Sequence, residues 1–322
     1  YPLCRIPSRE MPSRLRRAQA AQPLLDQALA AQVVKLLEGA LIAAWRLARH
    51  AGDPLDHSLR PLHPRAGAVD RLARWSEPLA ALRPSRSGGS AIQAMQGGRA
   101  RPTIHEHDAK RLLGAAGVSI VRERLVASLD DTRDAAKAIG YPVVLKVVSD
   151  AIPHRSDVGL VAIGLRDESE LRAAWDRSSR RIDELGRRND VAGFLVQEMA
   201  HGILEVFAGV NRDPDFGMVL AFGAGGVLIE ALDDVALRPL PLRAGDAEAM
   251  IAETKVATLL GGFRGRPPGD VGALARTLEA IGDFAWAERE SLSELDVNPI
   301  VVRQAGAGSL VVDALIVPRT RI

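Results

Sequence analysis

The sequence predicts an α/β fold, or α+β with mixed sheets, for residues 102–322, preceded by a mainly helical, basic segment at 1–83 and a Gly/Ser/Pro-rich linker at 84–101. Two observations carry this prediction. Beyond residue 102, short β-branched runs alternate with amphipathic runs whose apolar residues recur every three or four positions. Ahead of it the periodic stretches are helical, and PSRSGGSAIQAMQGGRARP, from Pro84 to Pro102, has the composition of a domain boundary.

Element by element, Gln22 to His50 places Leu, Val, Ile and Trp at helical spacing, and a shorter amphipathic stretch follows at Ala68 to Pro84. After the linker the order is helix His105–Ala116, strand Val118–Val126, helix Thr132–Ile139, strands Tyr141–Val148 and Gly159–Leu165, helix Glu168–Gly186 and strand Phe194–Met199. Strands at Leu204–Asn211, Gly217–Phe222 and Val227–Ile229, helices at Ala247–Leu260 and Val271–Trp286, and strands at Ser293–Val302 and Leu310–Ile316 complete it. No internal repeat is evident.

Composition narrows the class. Of the 322 residues, 47% are apolar and 25% charged, with a single cysteine, Cys4, so disulfide scaffolds are excluded and a reducing, cytoplasmic setting fits. No run reaches the roughly 18 apolar residues of a membrane helix, and no membrane partner is expected. The net charge of +2 conceals an asymmetry: residues 1–101 carry 16 Lys+Arg against 7 Asp+Glu, and the remainder is acidic. That basic third lacks the interleaved aromatics of a single-strand binder, so it reads as solvated helix faces and nucleic acid is not an expected partner. His50, His57 and His63 read as loop histidines, not ligands. A chain that opens on Tyr1 reads as a fragment or a processed product.

Four places carry chemistry. In PVVLKVV, alternation puts Val144, Lys146 and Val148 on one strand face, where a buried ammonium needs an anion such as phosphate. The loop DAIPHRSDVGLV brings His154, Arg155, Ser156 and Asp157 together. A neutral imidazole there can accept a phosphoryl group, with the carboxylate fixing its tautomer. FGAGG, with Gly223, Gly225 and Gly226, allows close approach to phosphate or forms a tight hairpin turn; it is not a dinucleotide fingerprint. In SELDVNPIVV the side chains of Glu294, Asp296 and Asn298 share a face about 7 Å apart, acids that repel unless a cation such as magnesium stands between them.

In order, the Lys146 strand, HRSDVG, LVQEM, GVNRDPDFG, FGAGG, DVALRPLPL, GGFRGRPP and ELDVNP resemble the ATP-grasp domain of the NDP-forming acyl-CoA synthetases, which includes the ADP-forming acetate–CoA ligase β subunit and is related to the succinyl-CoA synthetase β subunit. The resemblance covers residues 102–322 and implies an ATP-grasp fold of two lobes with ATP or ADP and Mg2+ between them. It implies that Lys146 meets nucleotide phosphate, that Gln197, Glu198 and Met199 form the hinge at adenine, and that Glu205 follows in the nucleotide cleft. Gly223, Gly225 and Gly226 are the glycine loop near phosphate. Asp296 and Asn298 are implied to bind magnesium, and His154, with Asp157 and Arg238, to carry the catalytic phosphoryl transfer.

The implied reaction converts acyl-CoA, ADP and phosphate reversibly to acid, CoA and ATP through a phosphohistidine. It needs a CoA-binding and CoA-ligase subunit or domain, through which acid and CoA would act. No such part is visible here. The family's HKSDVGGV reads HRSDVGLV here, so Arg155 and Leu160 replace a lysine and a glycine and stiffen the loop. The alternative expectation is a non-ligase nucleotide-binding module, from a protein acyltransferase fusion or a truncated, inactive chain.

Overall fold

The computed structural model divides the chain into two compact units, Tyr1–Trp75 and Ser76–Ile322. The structure describes residues 90–96, 103–149, 159–213, 216–225, 234–262, 265 and 267–319, all in the second unit. The helices and histidines expected before residue 84 and the strand expected at Val227–Ile229 lie outside the described residues.

The described residues build two sheets. The smaller has four strands, β1 (Glu123–Val126), β2 (Val143–Ser149), β3 (Val161–Leu165) and β4 (Val191–Glu198), in the order β1-β4-β2-β3. The larger has six: β5 (Leu204–Asp213), β6 (Gly217–Ala224), β7 (Val235–Pro239), β8 (Leu292–Val302), β9 (Ser309–Val311) and β10 (Ala314–Pro318), ordered β10-β8-β5-β6-β7 with β9 on β8. Every ladder between these strands is antiparallel. The architecture is therefore α+β, and among the described residues the parallel pairing implied by mixed sheets is confined to one bridge, Ile120 with Val311.

Alternation decides which side of each sheet is helical. Val143, Leu145 and Val147 of β2, with Phe194 and Val196 of β4, pack into a core with Ala135 and Ala136 of one helix (Leu129–Ile139) and Leu171, Ala174 and Ile182 of another (Glu168–Glu184). The intervening residues, Lys146 and Gln197 among them, face the opposite way. In the larger sheet Val206, Ala208, Val210, Leu220, Phe222, Leu295 and Val297 point into the main core with Leu274, Leu278 and Ile281 of the long helix Val271–Ala287. The opposite face of β5 and β8 carries Glu205, Phe207, Gly209, Glu294 and Asp296. The Lys146–Gln197 face of the smaller sheet meets Glu106 and the Val312–Asp313 turn that precedes β10.

Four expected elements differ, the first being the strand expected at Leu310–Ile316, which is two, β9 and β10, broken at Val312–Asp313. The strand expected at Val118–Val126 begins at Glu123, because Val121 donates to Val311 O (3.1 Å) and Val311 to Ser119 O (2.9 Å), pairing this segment with the other sheet. The helix expected at Ala247–Leu260 is two, Asp246–Ala252 and Lys255–Leu260, since the Thr254 hydroxyl bonds Ile251 O at 2.9 Å and stops the first. Inside the expected linker stands α1 (Ala91–Gln96), with Ile92 fully buried in the main core and the Glu288 carboxylate accepting from Ala91 N at 2.8 Å.

The long helix is tied down by one carboxylate. Asp270 accepts from Ala273 N (2.9 Å) as its N-cap, and from Gly306 N (3.0 Å) and Gly308 N (2.9 Å) in the turn after β8. These backbone donors, led by Ala273 and Gly308, hold its carboxyl below the usual 3.8. Asp270→Ala is expected to cost about 1–2 kcal/mol of stability in urea denaturation. A carboxyl depressed on folding stabilises above its unfolded value, so the deficit should be full at neutral pH and shrink as the pH falls from about 4 through the lower folded value.

Candidate functional site

The cleft is built by pieces distant in sequence. Helix α2 (Glu106–Ala115) docks on the larger sheet through Leu112 and Leu113, and Ile104, just before it, exchanges hydrogen bonds with Ile316 of β10 at 2.7 and 3.2 Å. Its first turn thereby reaches the smaller sheet. Lys146 of β2, nearly buried, places Nζ 2.5 Å from Glu106 Oε1 and 3.6 Å from Asp313 Oδ2. Lys110 is fully buried one turn along α2, 2.9 Å from both Glu106 Oε1 and the Val312 carbonyl, and paired also with Glu123 of β1. Gln197 of β4 donates its amide to Val312 O (2.9 Å) and Glu123 Oε2 (3.3 Å), and His107 Nδ1 lies 2.9 Å from Glu123 Oε1.

Burial alone would raise the Glu106 carboxyl. Lys146 first and Lys110 second overcome it and hold the group at about 2, so it is an anion. The buried cluster is thus balanced by Lys110 and Glu106 of α2 with Lys146 and Glu123 of the smaller sheet, which is what makes its burial tolerable.

In front of it opens a cleft of about 230 Å³ lined by His105, Glu106, Asp296, Asn298, Asp313 and Leu315. Strand β8 delivers Asp296 and Asn298 by alternation: Leu295 before them and Val297 between them are core, while Asp296 pairs across the ladder with Leu315. Asn298 N donates to Asp313 O at 3.2 Å, which brings the Asp313 turn alongside. Asp296 is solvent-accessible, yet it sits in a concave wall of protein. That crowding, then repulsion from Asp313 and Glu294, pushes its carboxyl up to about 6. Such a group gains from a cation. Among the described residues no three His, Cys, Asp or Glu side chains form a ready-made metal cage. Two carboxylates and an amide oxygen fit magnesium, which keeps waters and takes phosphate oxygens for the rest.

Other expected site residues fall variously. Glu198 lies at the end of β4, its carboxylate bound to Arg122 N (2.8 Å) and Nε (3.0 Å). Met199 opens the crossing to β5, its N–H on Pro142 O at 3.4 Å, and Glu205 lies exposed at the start of β5 on the cleft side. Gly223 and Gly225 are demanded by packing: a Cβ at 223 would lie 2.8 Å from both the Phe207 ring and Asp234 O, and one at 225 would lie 3.0 Å from the Glu205 backbone. His154, Asp157 and Gly226 lie outside the described residues.

Arg238 is not brought to the cleft. Its ladder partner is Leu220, in the row that continues through Val210 and Leu295 in the core, so it stands on the opposite face from Asp296. There Nη2 meets Glu253 Oε1 at 2.5 Å and Nη1 meets Oε2 at 3.1 Å. This is an ion pair beneath the helical layer, away from the cleft. Glu106, Lys110, Glu123 and Asp313 belong to none of the sequence motifs; their one signal is the scarcity of lysine, five in the chain, which makes Lys110 as noteworthy as Lys146.

Residues 93–317 match the ATP-grasp domain family. The chain belongs to that family. This ATP-grasp chain is 34% identical over 217 residues to the acetate–CoA ligase (ADP-forming) II subunit beta of Pyrococcus furiosus, a match covering 67% of the chain and 92% of that protein. It is 37% identical over 195 residues to acetate–CoA ligase (ADP-forming) I of Archaeoglobus fulgidus, covering 61% of the chain but 28% of that longer protein. Among solved structures, the dinucleotide-forming acetyl-coenzyme A synthetase 1 of Ca. Korarchaeum cryptofilum, in complex with coenzyme A, Ca-AMPCP and HgCl+, superposes with a TM-score of 0.65 at 38% identity, over 71% of this chain and 97% of that one.

Proposed function

We propose that this ATP-grasp chain is the nucleotide-binding, phosphoryl-transferring part of an NDP-forming acyl-CoA synthetase, working with a CoA-binding partner subunit or domain. The observation that carries the reading is that Lys146 of the smaller sheet stands 3.6 Å from Asp313, which lines one cleft together with Asp296 and Asn298 of the larger sheet. ATP or ADP would lie between the sheets, with Lys146 as the point charge on phosphate. Asp296, Asn298 and Asp313 would hold Mg2+, which when bound neutralises phosphate charge. The segment Gln197–Met199, where β4 ends and the chain leaves for β5, suits the adenine end.

In the reaction we infer, phosphate displaces the CoA thiol from acyl-CoA on the partner, giving an acyl phosphate. The His154 imidazole takes the phosphoryl group, releasing the acid, and delivers it to the terminal phosphate oxygen of ADP to give ATP. Asp157 would orient that imidazole. A crystal of the Korarchaeum relative holds coenzyme A and Mg-AMPPCP with its phosphohistidine segment pointing towards the nucleotide site, which supports the same assignment.

Incubation with γ-labelled ATP and magnesium, followed by mapping of acid-labile phosphate, tests this. Label is expected on His154 and lost in His154→Ala, with nucleotide affinity retained. A chain that binds nucleotide yet never labels would instead be a passive binding module.

A further inference from the structure

Glu106 is 1% exposed, and a single oxygen of its carboxylate, Oε1, serves two ammonium groups, Lys110 at 2.9 Å and Lys146 at 2.5 Å. Lys110 is pinned by its further contacts with the Val312 carbonyl and Glu123. Lys146 has a second acid within reach, Asp313 at 3.6 Å, close enough to pair but too far for a hydrogen bond. Asp313 is also the carboxylate that faces the same cleft as Asp296 and Asn298. A lysine ammonium is a compact cation on a flexible stem. Without a competing anion it would close onto Asp313 and occupy by charge the place a divalent cation needs.

We propose that Glu106 is a positioning residue that holds the Lys146 ammonium short of Asp313, keeping the divalent-cation position open and making nucleotide binding depend on magnesium. The proposal rests on the reading of the cleft as a magnesium-nucleotide site. Its physical basis is that Glu106 and Asp313 are fixed to one body, the larger sheet, through the α2 core contacts and the Ile104–Ile316 bonds. Lys146 arrives from the other sheet. Its distance from the metal-side acids is therefore set by α2 and not by the lysine stem. Lys110 balances the carboxylate from behind, so that Glu106 can hold Lys146 without surrendering its own charge to burial.

The test compares the full chain with Glu106→Gln and with Glu106→Gln/Lys110→Met, using calorimetry of ADP in magnesium and in EDTA. The double variant removes one anion and one cation together, and decides the matter if the single variant does not fold. In the wild type, ADP should bind more tightly with magnesium. In the variants the affinity with magnesium should fall by about tenfold or more, while the affinity in EDTA stays or rises, so the magnesium preference shrinks. A structural role alone would lower both arms together. That result, or a folded double variant that keeps the wild-type preference, overturns the role of Glu106. A wild-type chain that binds ADP in neither condition overturns the cleft reading and this proposal with it.

Discussion

Asp296→Asn is expected to remove magnesium-dependent nucleotide binding while raising the melting temperature of the metal-free chain at neutral pH. Binding should weaken by about 2–3 kcal/mol, near a hundredfold, because the donor set has two carboxylates and loses one of them. The stability effect has the opposite sign. The carboxyl of Asp296 titrates at about 6 in the folded chain, against an ordinary 3.8. A carboxyl raised on folding is penalised when charged, so stability is lost as pH rises from about 4 through 6 and stays low above. The amide carries no such penalty. The gain in melting temperature should therefore be full above pH 7 and absent near pH 4, as thermal scans in EDTA across that range would register. Magnesium should raise the wild-type melting temperature and leave that of the variant unchanged.

Lys146→Met is expected to weaken nucleotide binding by ten- to a hundredfold both with and without magnesium, since a charge-assisted contact to phosphate is worth about 1.5–3 kcal/mol. Met retains the aliphatic packing of the stem in β2, where the flanking Val144 and Val148 are buried. Glu106 keeps Lys110 as counter-ion at 2.9 Å, so the fold should survive. Titration of both nucleotide forms separates this pattern from that of Asp296→Asn, which acts on the magnesium arm alone.

Much of this was legible along single strands. Alternation in PVVLKVV and SELDVNPIVV put Lys146 and Asp296 on the correct faces, because each strand has one core-facing row of Val, Leu and Ile. What required several chain segments at once was hidden. Glu106 and Lys110 read as an ordinary i, i+4 pair on a helix; only docking on β10 turns them inward towards Glu123 and Lys146. Asp313 follows the core residue Val311 in a segment that alone suggests nothing but an edge strand. Arg238 resembled a catalytic cation because its motif matched, and its face could be known only by tracing the ladder from β7 through β6 and β5 to β8. The helix at Ala91–Gln96 was masked by glycine and serine on either side, although Ile92 is buried and Met95 packs against the main core.

The central claim is that the two sheets enclose a magnesium-nucleotide site. Calorimetric titration of the chain with ADP, in magnesium and then in EDTA, tests it most directly. One-to-one binding that strengthens with magnesium and is lost in Asp296→Asn is the predicted result. Absence of nucleotide binding in a folded chain, or binding indifferent to both magnesium and Asp296, would contradict it.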